Sequence, residues 1–351
     1  MNTPDAPAPS LHYLAGLTDD QGVVEHALYD RPRREYGYCT DDAGRLLGLA
    51  SRLGEDPDSS RLAHACLGFL ERAHIAGASF RLRQRGSGEW TSDPSSDDAT
   101  GRALLGLGTA AAWAPWPQVR RRAQSLFDES CELRTPYPRA LAYAALGAAE
   151  VARVEPAHRG GAALLGRASG LLDGDGSGAQ WPWPEPRLSY ANALLPEAAL
   201  AAAEQSHDAA LAERALARLE WLVGRQVRGG HFSFVPVHGA DEASTAPAFD
   251  QQAIEAYTMA SACARAFAYT RDPRWAREVQ RAAAWFLGDN DVGVAMFDPV
   301  TGGGYDGLEE HGVNLNQGAE SSMAFVATML ALHDVRRSLG EDVARPLSAN
   351  R

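Results

Sequence analysis

Residues 41–49 read DDAGRLLGL, and residues 97–107 repeat that pattern as DDATGRALLGL. In each copy an acidic pair precedes a run rich in leucine, alanine and glycine, which is the composition of a buried helix with a polar start. Repetition of one helical unit along a chain is typical of folds that stack helix pairs. The two copies therefore predict helical hairpins that stand side by side, with acidic residues at the helix starts.

Four further apolar segments follow a short polar or aromatic cluster, so the sequence predicts six such helices. They are expected near residues 42–53, 98–112, 137–152, 190–205, 252–270 and 320–336. More charged, amphipathic segments with one wet face lie between them, near residues 59–75, 117–132, 158–172, 208–223 and 272–287. This alternation predicts an all-α (α/α)6 toroid, in which the inner helices gather their N-terminal ends at one mouth. The sixth outer helix either comes from the N-terminal region or is missing.

The predicted toroid forms one domain over residues 11–338. Long loops at the mouth interrupt the helices near residues 77–96, 225–250 and 288–319, and the second of these holds a strand-like alternation. Long ordered loops inside a compact domain often carry function. A disordered Pro/Ala-rich leader is predicted over residues 1–10 and a mobile tail over residues 339–351. The oligomeric state stays open at this stage.

The composition favours a neutral ligand. The formal net charge is -12, from 45 acidic and 33 basic residues, which argues against nucleic acid or an anionic membrane as a partner. No apolar run reaches the roughly 18 residues that span a bilayer. The N-terminus has no basic start and no apolar core of a secretory signal, and the cysteines show no CxxC spacing. We expect a cytoplasmic protein with four free thiols, at Cys39, Cys66, Cys131 and Cys263.

Neither a metal nor a cofactor is predicted. The ten histidines show no HxxxH or HxH spacing that would place two ligands on one face. Three glycines at residues 302–304 do not lie between a strand and a helix, as a nucleotide-binding loop would require. The loop histidines His231, His238 and His311 remain candidates for substrate contact, beside the alternative that they are simply solvated.

Acidic residues at the predicted helix starts are the main candidates for chemistry. Aspartate is a preferred helix cap, but one residue suffices, so the second of each acidic pair is free to point into the mouth. Glu255 lies in an otherwise apolar helix, where a carboxylate needs a partner or a role. Glu320 opens another apolar helix, where an acid also complements the helix dipole.

The most unusual local sequence is WPWPEPRLSYAN, at residues 181–192. Its prolines fix the backbone and would present Trp181, Trp183 and Glu185 rigidly. Tryptophan faces beside carboxylate and guanidinium groups suit sugar rings, which have apolar faces and polar edges. The alternative is that the tryptophans form a plug that packs the barrel.

Several of these motifs together resemble one family. They are GYCTDDAGR (37–45), DATGRA (98–103), WPWPE (181–185) with YAN (190–192), FDQQ (249–252) and NLNQGAES (314–321). The set is similar to a bacterial family of glycosidase-like (α/α)6 toroids, often labelled "glycosyltransferase" in genomes, and covers nearly the whole chain. The resemblance implies the six-hairpin toroid shared by many glycoside hydrolases, without a settled reaction. Cys39 and Ala43-Gly44 stand where that family would have Thr and an Asn-Ala pair, so one polar group is lost here.

From the acids and the resemblance we expect a carbohydrate-active enzyme, foremost a glycoside hydrolase acting on an oligosaccharide or glycoside through paired carboxylates. Inversion is favoured, with two carboxyl groups about 6.5–9.5 Å apart. Glu185 is the predicted general acid and Asp98 or Asp250 the base, with Asp42, Glu255 and Glu320 as further catalytic candidates. The predicted substrate-binding residues are Asp41, Asp97, Trp181, Trp183, Arg187, Tyr190, Asn192, Gln251 and Gln317.

Other functions fit the same fold. A non-catalytic glycan-binding toroid would retain the cleft without the chemistry, and a phosphorylase would replace water by phosphate. A sugar isomerase or epimerase would use histidines as acid and base, and the sequence places none at the predicted inner helix starts. A terpenoid-cyclase-type toroid would require an aspartate-rich motif inside an apolar cavity, whereas this mouth is polar.

Overall fold

The computed structural model describes residues 6–77, 79–91, 95–173 and 180–341. The predicted leader and tail lie partly outside this range, at residues 1–5 and 342–351. Helices dominate the described residues. They are α1 (His12–Gly16), α2 (Thr40–Arg52), α3 (Ser59–Ala73), α4 (Asp97–Trp113), α5 (Pro117–Ser130), α6 (Pro138–Val154), α7 (Arg159–Ala168), α8 (Leu194–Ser206), α9 (Ala209–Gln226), α10 (Ala253–Thr270), α11 (Pro273–Phe286) and α12 (Ala319–Ser338).

The even-numbered helices form a closed inner ring. Each of them packs against the next, from α2 through α4, α6, α8 and α10 to α12, and α12 returns to α2. The odd-numbered helices α3 to α11 pack outside this ring, each on the inner helix before it, and the short α1 packs on α12. The predicted (α/α)6 toroid is thereby confirmed, and the sixth outer helix comes from the N-terminal region.

Glycines let the inner helices approach one another closely. A Cβ atom at Gly106 of α4 would overlap the backbone of Gly44 in α2, and one at Gly108 would overlap Gly147 in α6. Each glycine inside a helix costs about 1 kcal/mol relative to alanine. Because the neighbouring backbones leave no room for a side chain, these glycines fix the spacing and register of α2, α4 and α6.

The outer helices are amphipathic, as their sequence predicts. In α9 the apolar residues Leu211, Leu219 and Leu222 are buried while the charged face stays in water. The carboxylate of Asp208 caps this helix by accepting the Leu211 N–H at 3.0 Å. These helices therefore close the core without lining the centre of the ring.

The connections at the two ends of the toroid differ in length. Short turns lead from each inner helix to the next outer one. The long segments all lead from an outer helix to the next inner one, and only α5 and α6 are joined there by a short connection, residues 131–137. All long segments therefore lie at the end where the inner helices begin. They contain antiparallel two-stranded ribbons, which pair β1 (Ala27–Leu28) with β2 (Arg31–Pro32), β3 (Tyr38–Cys39) with β6 (Arg83–Gln84), β4 (His74–Ile75) with β5 (Ser79–Phe80), β7 (Val227–Arg228) with β8 (His231–Phe232), and β9 (Gly307–Glu309) with β10 (Gly312–Asn314).

The four cysteines are buried and none is in a disulfide. Within the described part of the chain, no helix combines the length and the apolar character needed to cross a bilayer.

Candidate active site at the mouth of the toroid

Three buried arginines on successive inner helices organise the mouth. The first, Arg45 of α2, lies 3.0 Å from Asp42 in its own helix and 2.7 Å from Glu320 at the start of α12. Asp42 is the third residue of α2 and Glu320 the second of α12, so both carboxylates belong to first helical turns. Arg45 therefore ties the last inner helix to the first, at the point where the ring closes.

The second arginine, Arg102 of α4, binds two acidic residues with one nitrogen. Its Nη1 lies 3.1 Å from Asp41 of α2 and 2.9 Å from Asp98 of α4. Asp98 also accepts a short hydrogen bond from the hydroxyl of Tyr190, and the guanidinium lies 4.7 Å above the ring of Tyr143. Because Asp41 and Asp98 share one donor atom, the two carboxylates are close neighbours.

The third arginine, Arg139 of α6, extends the network to α10. It binds both carboxylate oxygens of Glu185, at 2.8 and 2.9 Å, and donates to the carbonyl of Tyr190. It also donates to the side-chain oxygen of Asn192 at 3.2 Å, and Asn192 donates to Glu255 at 3.1 Å. A nearly continuous set of polar contacts thus follows the mouth from Glu320 to Glu255. We call it the mouth network.

Two carboxyl groups of the mouth network have strongly perturbed pKa values. Asp42 is 2% exposed, and burial raises its pKa to about 7, against the opposing effect of Arg45. Glu255 is 4% exposed, and burial raises its pKa to about 7 as well, although Asn192 and two backbone N–H groups favour its charged form. A carboxyl group with a pKa near neutrality can both donate and accept a proton at physiological pH.

Other acidic residues of the mouth reach solvent. The side chains of Glu320 and Asp98 are 43% and 31% exposed, more than those of their ion-pair partners. Asp250 is exposed in the loop before α10, and Asp97 lies half-buried at the first position of α4. Ser96, not an aspartate, caps α4 by accepting the Ala99 N–H at 3.3 Å. Capping therefore does not account for Asp97 or Asp98.

The tryptophans of residues 181–192 do not face the mouth. Trp181 and Trp183 are buried and pack on Trp221 of the outer helix α9, with ring centroids 5.2 and 5.9 Å away. Their indole N–H groups donate to the backbone carbonyl and the carboxylate of Glu185, at 2.9 and 3.3 Å. The expectation that these rings hold a sugar is corrected, because packing has removed both faces from solvent. Their role is to support the loop that carries Glu185.

Two predicted substrate-binding amides are likewise satisfied by the protein. Gln251 is buried, accepts the Phe234 N–H at 3.0 Å and donates to Asp291 at 2.6 Å. Gln317 is buried between Thr301 and Asp298, at 2.6 and 3.2 Å. These contacts hold the long loops in place, so the two amides are not free for a sugar and that expectation is corrected.

The remaining predicted binding residues differ in position. Asn192 is fully buried inside the mouth network, whereas Arg187 is exposed and donates to the carbonyl of His238. Tyr190 and Asp41 are partly exposed beside Asp98. Of the predicted set, Asp41, Asp98, Tyr190 and Glu320 are therefore brought together at the accessible surface of the mouth.

The sequence analysis did not identify Arg45, Arg102 or Arg139 as site residues. Arg45 follows Asp42 by three positions and Arg102 follows Asp98 by four, which is the spacing of side chains that meet on one helix face. This spacing could have identified Arg45 and Arg102 from the sequence.

His26, at the rim of the mouth, was also missed, and no spacing in the sequence pointed to it. The Nε2 atom of His26 lies 3.8 Å from the carboxylate of Glu25, and the His26 side chain is half-exposed. The backbone carbonyl of Glu25 accepts the Ala319 N–H at 3.1 Å, which places this pair at the start of α12.

No protein-family model matches this chain, and no curated protein matches its sequence. Solved structures match its fold. A sugar epimerase from a ruminal bacterium has a TM-score of 0.69 at 11% identity, over 94% of this chain and 96% of that one. The cellobiose 2-epimerase of Spirochaeta thermophila has a TM-score of 0.68 at 13% identity, over 94% of each chain. The GH76 alpha-mannanase of Bacteroides thetaiotaomicron has a TM-score of 0.57 at 11% identity, over 86% of this chain and 87% of that one.

These matches agree with the resemblance noted in the sequence at the level of architecture. The fold of this chain is the (α/α)6 toroid that these solved structures share. At such identities the likeness establishes the fold, and function depends on the chain's own site.

Proposed function

We propose that this chain is a carbohydrate-processing enzyme whose substrate binds at the mouth and is converted by carboxyl groups of the mouth network. The observation that carries the proposal is the joint presence of two buried carboxyls with a pKa of about 7, Asp42 and Glu255, and two accessible ion-paired ones, Asp98 and Glu320. The fold supports it, because the similar structures named above are a sugar epimerase, a cellobiose 2-epimerase and a mannanase.

The chemistry of the mouth suits a neutral sugar. Sugar hydroxyls both donate and accept hydrogen bonds, and the mouth offers carboxylate acceptors beside guanidinium and phenol donors. Arg102 and Tyr190 hold Asp98 between them, so one acceptor is fixed in direction before a ligand arrives. An acidic protein with net charge -12 would repel a polyanionic ligand instead.

Hydrolysis of a glycosidic bond is the leading reaction. It needs one carboxyl group that holds a proton and one that acts as base or nucleophile. The two-oxygen contact of Glu185 with Arg139 suits an ion-pair partner more than a proton donor. We therefore propose Asp42 or Glu255 as the proton donor, and because both are buried, the side chains that cover them must move before either meets a substrate. Asp98 is the proposed base. Asp41 is too close to Asp98 to complete an inverting pair, since both contact one nitrogen.

Release of new reducing ends tests this reaction. Nitrophenyl glycosides and oligosaccharides of glucose, mannose and galactose type would be incubated with the wild type, Asp98→Asn and the control Asp58→Asn. A lost acid–base group reduces kcat/KM by about 10²- to 10⁴-fold. Asp58 lies beside His12 just before the outer helix α3, away from the mouth, so its variant should stay within a few-fold of wild type. Equal activity of the two variants would remove Asp98 from the mechanism. Product formation that requires phosphate would identify a phosphorylase.

Epimerisation or isomerisation of a free sugar is the second candidate. It is favoured by His26, which stands half-exposed at the rim beside Glu25, and by the similarity to the two epimerases named above. Such a reaction exchanges a carbon-bound proton of the sugar with solvent. Incubation in D₂O, followed by NMR, would reveal deuterium on the sugar without bond cleavage, and His26→Gln should abolish it.

Two further expectations belong to the same proposal. If carboxylate-to-amide variants keep sugar affinity and no product forms with any sugar, the toroid is a glycan-binding protein. A cytoplasmic location is proposed from the four unpaired thiols.

A further inference from the structure

The inner ring encloses a cavity of about 370 Å³ beneath the mouth. Its lining begins at Arg45 and Glu320, near the N-terminal ends of α2 and α12, and ends at Arg52 and Asp334, near their C-terminal ends. The helical rise places Glu320 and Asp334 about 21 Å apart along the axis. We call this elongated space the lumen.

The middle of the lumen offers apolar walls. The threonine hydroxyls there already donate within their own helices, Thr109 to the carbonyl of Leu105 at 2.8 Å and Thr258 to that of Ile254 at 3.0 Å. Burial raises the pKa of Tyr257, so its ring stays neutral. A sugar ring carries several hydroxyl groups and would lose more hydrogen bonds to water here than these few side chains could replace. The apolar lining residues include Leu49, Leu105, Leu146, Ile254, Met323 and Leu330.

Most charged groups of the described lining stand toward its two ends, and Glu197 lies between them, bonded to Ser261 at 2.9 Å. At the upper end the Arg45–Glu320 ion pair belongs both to the lumen and to the mouth network. Toward the lower end Arg265 lies within 4 Å of three glutamates. They are Glu204 at 2.9 Å, Glu197 at 3.6 Å and Glu150 at 3.7 Å. An apolar passage that starts at a polar mouth fits a ligand with a polar head and an apolar tail.

We propose that the lumen binds the apolar aglycone of a glycoside whose sugar head occupies the mouth, an inference that rests on the proposed function. The volume supports it, since the lumen is more than twice the roughly 150 Å³ apolar cavity that accepts a benzene molecule. The shape supports it too, because a space about 21 Å long suits a chain rather than a compact group. The substrate class is therefore alkyl or aryl glycosides.

Alkyl alcohols test the lumen without any sugar. Calorimetric titration with 1-butanol, 1-hexanol and 1-octanol should show affinity rising about fourfold for each added methylene that is buried. Ala327→Phe and Ala264→Phe place a ring in the lumen, where both alanines are half-buried, and should weaken 1-octanol binding at least tenfold. Ala210→Phe, on the exposed face of α9, is the matched control. Thermal unfolding verifies that each variant folds.

Glycosides then link the lumen to the mouth. For one sugar, the octyl glycoside should have a much higher kcat/KM than the methyl glycoside, and Ala327→Phe should remove the difference. Three results would each overturn the inference. The affinity for alcohols could be independent of chain length, both lumen variants could bind 1-octanol as the wild type does, or octyl and methyl glycosides could be converted equally well. If alcohols bind in the lumen but no glycoside reacts, the proposed function has failed and the apolar site stands. If methyl glycosides react and alcohols do not bind, the proposed function stands and the inference about the lumen has failed.

Discussion

Arg102 of α4 reaches across the helix boundary to Asp41 of α2, with 3.1 Å between its Nη1 atom and the carboxylate. The same nitrogen holds Asp98 of its own helix, so one guanidinium fixes two first turns at once. Arg45 of α2 makes the same kind of bridge, between Asp42 of its own helix and Glu320 of α12. The mouth is therefore held at the helix starts by cross-helix ion pairs, in addition to the packing of the ring.

Removal of the shared guanidinium should destabilise the protein. Arg102→Met leaves Asp41 and Asp98 without their common partner, and breaking a buried pair from one side costs about 3 kcal/mol, the lower end of the usual range because both acids are partly exposed. Chemical denaturation measures the change in the free energy of unfolding. Arg122→Met, which breaks a surface pair with Glu71, is the control and should cost less than about 1 kcal/mol. Equal losses in the two variants would contradict a structural role for Arg102.

The hydroxyl of Tyr190 should matter for turnover more than for folding. It donates to Asp98, and without it that carboxylate keeps only Arg102 as a partner and gains freedom to turn. We expect Tyr190→Phe to lower kcat about tenfold on a substrate that the wild type converts, with a change in unfolding free energy near 1 kcal/mol. Steady-state kinetics and denaturation on the same preparations separate the two effects. An unchanged kcat would show that Asp98 needs no positioning by Tyr190.

Asp42 should make stability fall as pH rises. Its pKa is about 7 in the folded protein and about 3.9 in an unfolded chain, so the folded state keeps a proton that the unfolded state releases. The stabilising contribution is therefore complete below pH 4 and is lost as pH rises through 7. Asp42→Asn cannot titrate, so wild type should lose stability relative to this variant between pH 5 and pH 8. The loss amounts to at most about 1.4 kcal/mol per pKa unit crossed.

Denaturant titrations of both proteins at the two pH values provide the measurement. Glu255→Gln should behave in the same way, because burial raises the pKa of Glu255 to about 7 as well. A difference between wild type and Asp42→Asn that stays constant from pH 5 to pH 8 would show that Asp42 is already ionised in the folded protein at pH 5.

The glycines of the inner ring should not tolerate a methyl group. Gly106→Ala improves helix propensity, but the new Cβ would overlap the backbone of Gly44, so α2 and α4 would have to move apart. We expect a loss of about 1–3 kcal/mol in unfolding free energy, as for other overpacked sites. Gly166→Ala in the outer helix α7 meets no atom within 4 Å and should instead stabilise by about 0.5–1 kcal/mol. Stabilisation by both substitutions would rule out tight contact between α2 and α4.

The hairpin order was predictable because the acidic pairs and apolar runs around residues 41 and 97 carry a local helical signal. The start of α8 was predicted at 190 and lies at Leu194, since Tyr190 and Asn192 belong to the mouth network instead of the helix. The helix α1 spans His12–Gly16 and is too short to give a periodic pattern. The start of α8 and the short helix α1 are determined by contacts with residues far away in the sequence, which a local pattern does not show.

The candidate site was predictable only in part. Acids at helix starts could be read locally, but the contact of Arg102 with Asp41 depends on how two helices align, and glycines at 44 and 106 determine that alignment. The tryptophans at 181 and 183 fitted either a sugar platform or a plug, and Trp221 of α9 decides for the plug. No pattern within one segment contains that information.

The closure of the ring has a consequence for biosynthesis. Because α12 packs on α2, and Glu320 binds Arg45 across that boundary, these two helices meet only after every inner helix between them has been made. A nascent chain on the ribosome can stack its hairpins into an open arc, since neighbouring hairpins contact each other in order of synthesis. The arc exposes the apolar edge of α2 until α12 arrives. The docking of α12 between α10 and α2 is thus the event that seals the core and assembles the mouth.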